Sequence, residues 1–154
     1  MTPLKPGDKA PDFSAPDQDG RIVTLSSLKG RRVILYFYPK DNTSGCTLEA
    51  QNLRDGKARL AEMGFEIIGV SPDSEKSHQG FICKHGLNFT LLADTDKKVA
   101  ESYGVWGEKK LYGRTYMGIF RTTFVIDPEG KIEKVFTKVD TKNHWQQIVD
   151  SYKA

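Results

Sequence analysis

The sequence predicts an α/β fold in which a central mixed β-sheet carries helices on both of its faces. Three observations predict it. Residues 32–38 and 65–71 are short β-branched and aromatic runs without polar alternation, the pattern of strands buried on both sides. Helical patterns lie between the strand-like runs, several of them ended by glycine. Residues 122–126 and 132–137 flank the turn Asp127-Pro128-Glu129-Gly130, which makes the last two strands an antiparallel hairpin.

The elements follow in order. Asp17-Gln18-Asp19-Gly20 is a turn between two short extended segments, and Ser26 or Ser27 caps a short helical turn closed by Gly30. After the strand over 32–38, a helix over about 45–63 places Ala50, Leu53, Leu60 and Ala61 on one stripe and stops at Gly64. Gly56 weakens it slightly. The strand over 65–71 precedes a helix over 74–85 that ends at Gly86, a short strand at 91–93 and a helix over about 97–103. A helix over 143–152 closes the chain. By pattern this is the thioredoxin-like architecture, in one domain spanning residues 1–154. Such frames carry many unrelated chemistries, so the function has to be read from side chains.

Composition excludes several classes. The formal charge of +3 comes from 23 basic residues spread among 20 acidic ones, which gives no concentrated positive field for nucleic acid. The longest apolar run, residues 33–38, is far shorter than the roughly 20 residues of a membrane-spanning helix. The first seven residues have no apolar signal core or small-residue cleavage site, which predicts a cytoplasmic protein. Two cysteines cannot staple 154 residues, and persistent structural disulfides are rare in a reducing compartment. Each thiol needs its own explanation.

For Cys46 the surroundings supply one. It stands in the first turn of the helix that follows the first buried strand, where unpaired N–H groups favour an anion and hence a thiolate. Thr43 is placed as the N-cap, its side-chain oxygen accepting a backbone N–H and its hydroxyl lying beside Cys46. Pro39 ends the strand and removes a donor, and Gly45 leaves the backbone by the sulfur open to a small ligand. The three histidines, His78, His85 and His144, are too scattered to form a metal site with Cys46 and read as surface or flank residues. No metal or organic cofactor is called for.

Pro39, Thr43 and Cys46 stand at the spacing P-x-x-x-T-x-x-C, which resembles the active-site signature of peroxiredoxins. Residues 36–43, 88–94, 103–110 and 121–127 are similar to the bacterioferritin comigratory protein, or Q-type, branch, so that the resemblance covers nearly the whole chain. It implies a thiol peroxidase acting on hydrogen peroxide or a small organic hydroperoxide, with Cys46 as nucleophile and no cofactor. It also implies that Arg121, opening a late strand, stabilises the thiolate and the peroxide, a role that suits a fixed cation with planar donors. A thioredoxin-like reductant and a monomer or weak homodimer follow from the same resemblance.

The sequence departs from the family at two places. Ser44 replaces a proline often found in the motif, and Gln51 stands where many members carry a resolving cysteine, which excludes resolution within one helix. Cys83 is the only other thiol. On its helix Phe81 and Ile82 mark an apolar face with His78 and His85, whereas Cys83 falls with Lys76 and Gln79 on the polar side. The resemblance gives it the resolving role, against a bystander in a one-thiol mechanism. A dithiol–disulfide oxidoreductase would need a second cysteine near Cys46, where Thr47, Glu49 and Gln51 stand instead. A chaperone or interaction module on the same fold is weakened by the joint presence of Pro39, Thr43, Cys46 and Arg121. The aromatic-rich loop with Trp106, Tyr112, Tyr116, Met117 and Phe120 suits an apolar pocket, a subunit contact or plain packing.

Overall fold

The computed structural model describes residues 4–153. Five strands form the central sheet in the order β5-β4-β3-β8-β9: β3 (Arg32–Phe37), β4 (Phe65–Ser71), β5 (Thr90–Ala93), β8 (Thr122–Ile126) and β9 (Ile132–Phe136). β3 runs parallel to β4, and β4 to β5, while β8 pairs antiparallel with both β3 and β9. The mixed sheet expected from the pattern is therefore present, with its antiparallel part at the β8–β9 hairpin.

Alternation along β3 divides the core, because successive side chains leave a strand on opposite faces. Ile34, Tyr36 and Tyr38 join Ala50, Leu53 and Leu60 of α1 (Ser44–Glu62), Phe81 of α2 (Glu75–His85) and Ile148 of α4 (His144–Asp150). Val33, Leu35 and Phe37 face the other way, toward Val99 and Ala100 of α3 (Lys98–Ser102), Tyr103 and Phe124. Helices thus cover both faces, as the sequence predicts.

Local chemistry sets the helix ends. Ser74 caps α2 by accepting the Ser77 N–H, and Gly86 closes it in the left-handed region at φ 59°. Gly64, at φ +83°, follows the end of α1. Gly56 is a packing requirement: a Cβ there would lie 2.2 Å from the Trp145 ring, so its absence lets α4 dock on α1. The cap of the short 3-10 turn over Leu25–Leu28 is Thr24, accepting from Ser27 N, and not Ser26 or Ser27.

Two hairpins flank the sheet. β1 (Ser14–Pro16) and β2 (Ile22–Thr24) are the extended segments around the 17–20 turn. The aromatic-rich loop is in fact a second hairpin, β6 (Trp106–Leu111) with β7 (Arg114–Ile119), turning at Tyr112 (φ 50°) and Gly113 (φ 77°). Positive φ at both turn residues matches the strand twist that two-residue hairpins require. Leu111, Tyr112, Tyr116 and Met117 on it are exposed. No helix among the described residues is long and apolar enough to cross a membrane.

Candidate active site

The segment from Tyr38 to Cys46 leaves the end of β3 and enters α1. Asp41, inside the loop, is buried and saturated with hydrogen bonds: Oδ1 accepts from Tyr38 OH at 2.6 Å, and Oδ2 from Ser77 Oγ at 2.8 Å. His78 Nδ1 lies 2.7 Å from the same Oδ2, and His78 Nε2 donates to the Leu92 carbonyl at 2.9 Å. The Asp41 N–H donates to Asp73 Oδ2, which also accepts from Ser71 Oγ. Asp41, Asp73 and His78 are near enough to bind a shared ion, but their polar atoms are committed to these hydrogen bonds. The network ties the loop to α2.

Thr43 is the N-cap of α1 by backbone conformation, yet its side chain makes no cap bond. Its hydroxyl instead donates to the Lys40 carbonyl at 3.0 Å, a correction to the expected capping geometry. Thr47 N–H bonds the Thr43 carbonyl and closes the first turn, so the N–H groups before it have no partner within the helix. Cys46 lies in that turn, 1% exposed. Pro39 is half-buried at the end of the strand, as expected from its place in the chain.

Antiparallel pairing of β3 and β8 sets Phe37 opposite Thr122, which carries the preceding residue, Arg121, to the start of α1. Its guanidinium is a fork: Nη2 donates to Cys46 Sγ at 3.3 Å and Nη1 to Glu49 Oε1 at 2.6 Å. Burial works against this cation, and the charges of Glu49 and Cys46 more than offset it, so its pKa is raised. Gly45 serves the same fork. A Cβ there would stand 3.2 Å from Nη2, so the space expected to admit a small ligand is bounded by the guanidinium.

Behind Arg121 lie residues that sequence reasoning missed. Glu49 is fully buried, and burial pushes its carboxyl up to about 7 against the opposing pull of Arg121. Its Oε2 has no hydrogen-bond partner. His144 is also fully buried, with Nε2 3.7 Å from that oxygen, and burial takes its imidazole down to about 4. Neither His144 nor His78 is the surface residue expected; only His85 is half-exposed, near Gln51. Glu49 was legible in principle, since a residue three positions after Cys46 shares its helix face. Lys109 on β6, its Nζ over the Phe120 ring, adds a cation near the fork whose pKa burial and Arg121 lower.

Cys83 is exposed and both thiols are free. The structure thus brings Cys46 and Arg121 into contact, keeps Pro39 and Thr43 on the adjoining loop, and leaves Cys83 on the solvent side of α2.

Comparison with known proteins matches residues 6–135 to the AhpC/TSA family. The chain is 49% identical over 150 residues to peroxiredoxin Bcp of Escherichia coli K12, covering 97% of this chain and 96% of that protein. The chain belongs to the AhpC/TSA family. It is likewise 48% identical over 147 residues to peroxiredoxin Bcp of Bacillus subtilis, covering 96% and 94%. Among solved structures it is similar to Xanthomonas campestris peroxiredoxin Q, with a TM-score of 0.85 at 34% identity over 90% and 88% of the two chains. A Xylella fastidiosa PrxQ mutant gives 0.91 at 29% identity over 98% and 96%. This AhpC/TSA chain is a thioredoxin-fold thiol peroxidase, an oxidoreductase, as its motif led us to expect.

Proposed function

We propose that Cys46 is the peroxidatic nucleophile, acting on hydrogen peroxide and small organic hydroperoxides. One observation carries the reading: Arg121 Nη2 donates to the Cys46 sulfur while Nη1 is held by Glu49, so a cation already points at the reacting atom. The thiolate sulfur attacks the terminal peroxide oxygen, the S–O bond forms as O–O breaks, and the departing oxygen takes a proton to leave as water or alcohol. Sulfur loses two electrons and becomes a sulfenic acid. Arg121 and the free N–H groups of the first turn of α1 stabilise the charge on both oxygens. Thr43 and Pro39 shape the loop that admits the peroxide. The Xanthomonas campestris relative is described as reducing alkyl peroxides, which supports the organic substrates.

Cys83 is the proposed resolving thiol. Its sulfur attacks the sulfenic sulfur, S–S forms, and water leaves. A thioredoxin-like dithiol then reduces the disulfide, returning both thiols. Both thiols are free and Cys46 is buried, so joining them calls for a change of conformation at the start of α1. The enzyme works as a single-domain monomer or weak homodimer in the cytoplasm, in antioxidant defence.

Two measurements test the scheme. Peroxide consumption with thioredoxin and its reductase falls to background in Cys46→Ser, because a hydroxyl is hardly ionised near neutral pH. Wild-type turnover by that variant ends the proposal. After an equivalent of peroxide, peptide mapping without reductant yields a Cys46–Cys83 linked peptide. A lasting Cys46 sulfenic or sulfinic acid beside free Cys83 establishes a one-thiol cycle instead.

A further inference from the structure

Glu49 has one oxygen gripped by Arg121 and the other, Oε2, buried without a donor. At 3.7 Å from it stands Nε2 of His144, and a chain of hydrogen bonds fixes which nitrogen of that ring carries the proton. The Asp140 N–H donates to Gln147 Oε1 at 3.1 Å, while Gln147 Nε2 donates to the Lys138 carbonyl at 2.9 Å. The amide cannot turn over without losing both. Its Oε1 therefore accepts from His144 Nδ1 at 2.9 Å, which leaves Nε2 bare. Burial reinforces the neutral ring. The bare nitrogen accepts the Thr123 hydroxyl at 2.8 Å and faces the free carboxyl oxygen.

We infer that His144 is a positioning residue of the peroxidatic site, acting through Glu49: its protonless Nε2, hydrogen-bonded by Thr123 and 3.7 Å from the free carboxyl oxygen, biases whether an acid or an anion stands behind Arg121. The inference rests on Cys46 and Arg121 being the reacting centre. An anionic Glu49 holds Nη1 and cancels part of the guanidinium charge, whereas an acid leaves that charge to the sulfur. Nε2, which carries partial negative charge and no proton, lies 3.7 Å from Oε2 and so disfavours the anion relative to the acid. The other charged and titratable groups around the carboxyl are Arg121 at the start of β8, which favours the anion, Cys46 on α1 and Tyr36 on β3. Asp140 acts on His144 from beyond β9, and Lys109 on β6 acts on Arg121 and Cys46.

The test uses the reduced full-length protein. The infrared carbonyl stretch of protonated Glu49, assigned by its disappearance in Glu49→Gln, is titrated through the range around its value of about 7. In His144→Phe the partial negative charge behind Oε2 is removed, and the midpoint falls by about one pH unit. In Thr123→Val, an isosteric change that leaves Nε2 to Glu49 alone, the midpoint rises. A purely structural His144 would lower the melting temperature without moving either midpoint. Unmoved midpoints, or a rise in His144→Phe, overturn the inference. If His144→Phe does not fold, the direction in Thr123→Val decides alone. Single-turnover reaction with hydrogen peroxide reads the centre separately: a pH step in its rate that tracks the infrared midpoint in each protein supports the coupling, and a rate without that step overturns it. Peroxide reduction surviving in Cys46→Ser would discredit the reading of the centre while the infrared midpoints still report on His144.

Discussion

Two buried histidines flank the start of α1, and their surroundings differ in one respect. Around His78 the polar groups close on each other: Asp41 accepts from Tyr38 and Ser77 and meets His78, whose other nitrogen donates to the Leu92 carbonyl. Around His144 the set stays open, with Glu49 Oε2 buried without a partner. A saturated network resists change, because any loss leaves an expensive buried orphan. An unsaturated one can exchange a proton at little structural cost. The first network holds the loop in place, and the second reaches Cys46 through Glu49 and Arg121.

The sharpest test of that contrast is at the open network. Arg121→Ala removes the donor to the Cys46 sulfur and is expected to lower the second-order rate with peroxide by roughly 10²–10³-fold, the cost of deleting one charge-stabilising donor. Stopped-flow peroxide reaction of the reduced protein measures it, and an unchanged rate constant would return Arg121 to a solvated strand end. At the closed network the loss should be in stability. Asp41→Ala leaves His78 buried without its carboxylate and costs about 3–5 kcal/mol, or a fall in melting temperature of about 10 °C. Glu49→Gln should cost distinctly less, since only one of its oxygens is bonded. Equal losses by urea titration would erase the distinction.

The smallest effect is in pH dependence. Glu49 keeps its proton up to about 7 in the fold against 4.5 free, so between those values the folded state binds more protons and stability falls as pH rises. His144 titrates at about 4 in the fold against 6.5 free, so there the unfolded state binds more and stability rises with pH. Between about 4.5 and about 6.5 the two slopes oppose each other. Glu49→Gln leaves the His144 slope alone, and stability relative to wild type should then climb with pH across that window by up to about 1.4 kcal/mol per pH unit. Parallel curves for variant and wild type would break the assignment.

Much of this was legible in the sequence, for identifiable reasons. Strands buried on both faces announce themselves by uniform apolarity, and α2 by the Ser74 cap and Gly86 stop, so these elements match their expected bounds to within a residue or two. Cys46 was legible because Pro39, Thr43 and Cys46 stand at a spacing that resembles a family motif, and Arg121 because it matches that family by position. The β6–β7 hairpin was not, since its turn puts Tyr112 at positive φ, a conformation that tyrosine does not signal. Glu49, His78 and His144 were missed because polarity normally predicts exposure. Their burial depends on partners 37, 21 or 72 positions away, which no local pattern reveals.

The docking of α4 on α1 gives the enzyme an optical reporter. The Trp145 indole fills the groove that Gly56 leaves open and is the chain neighbour of His144, so its emission registers whether the closing helix is seated behind the site. Trp106, under the Lys97 ammonium at 5.6 Å on the opposite side of the sheet, contributes a separate signal. With Trp106→Phe the remaining fluorescence comes from one indole, and a red shift on oxidation would show that helix lifting into water while peroxide is being consumed.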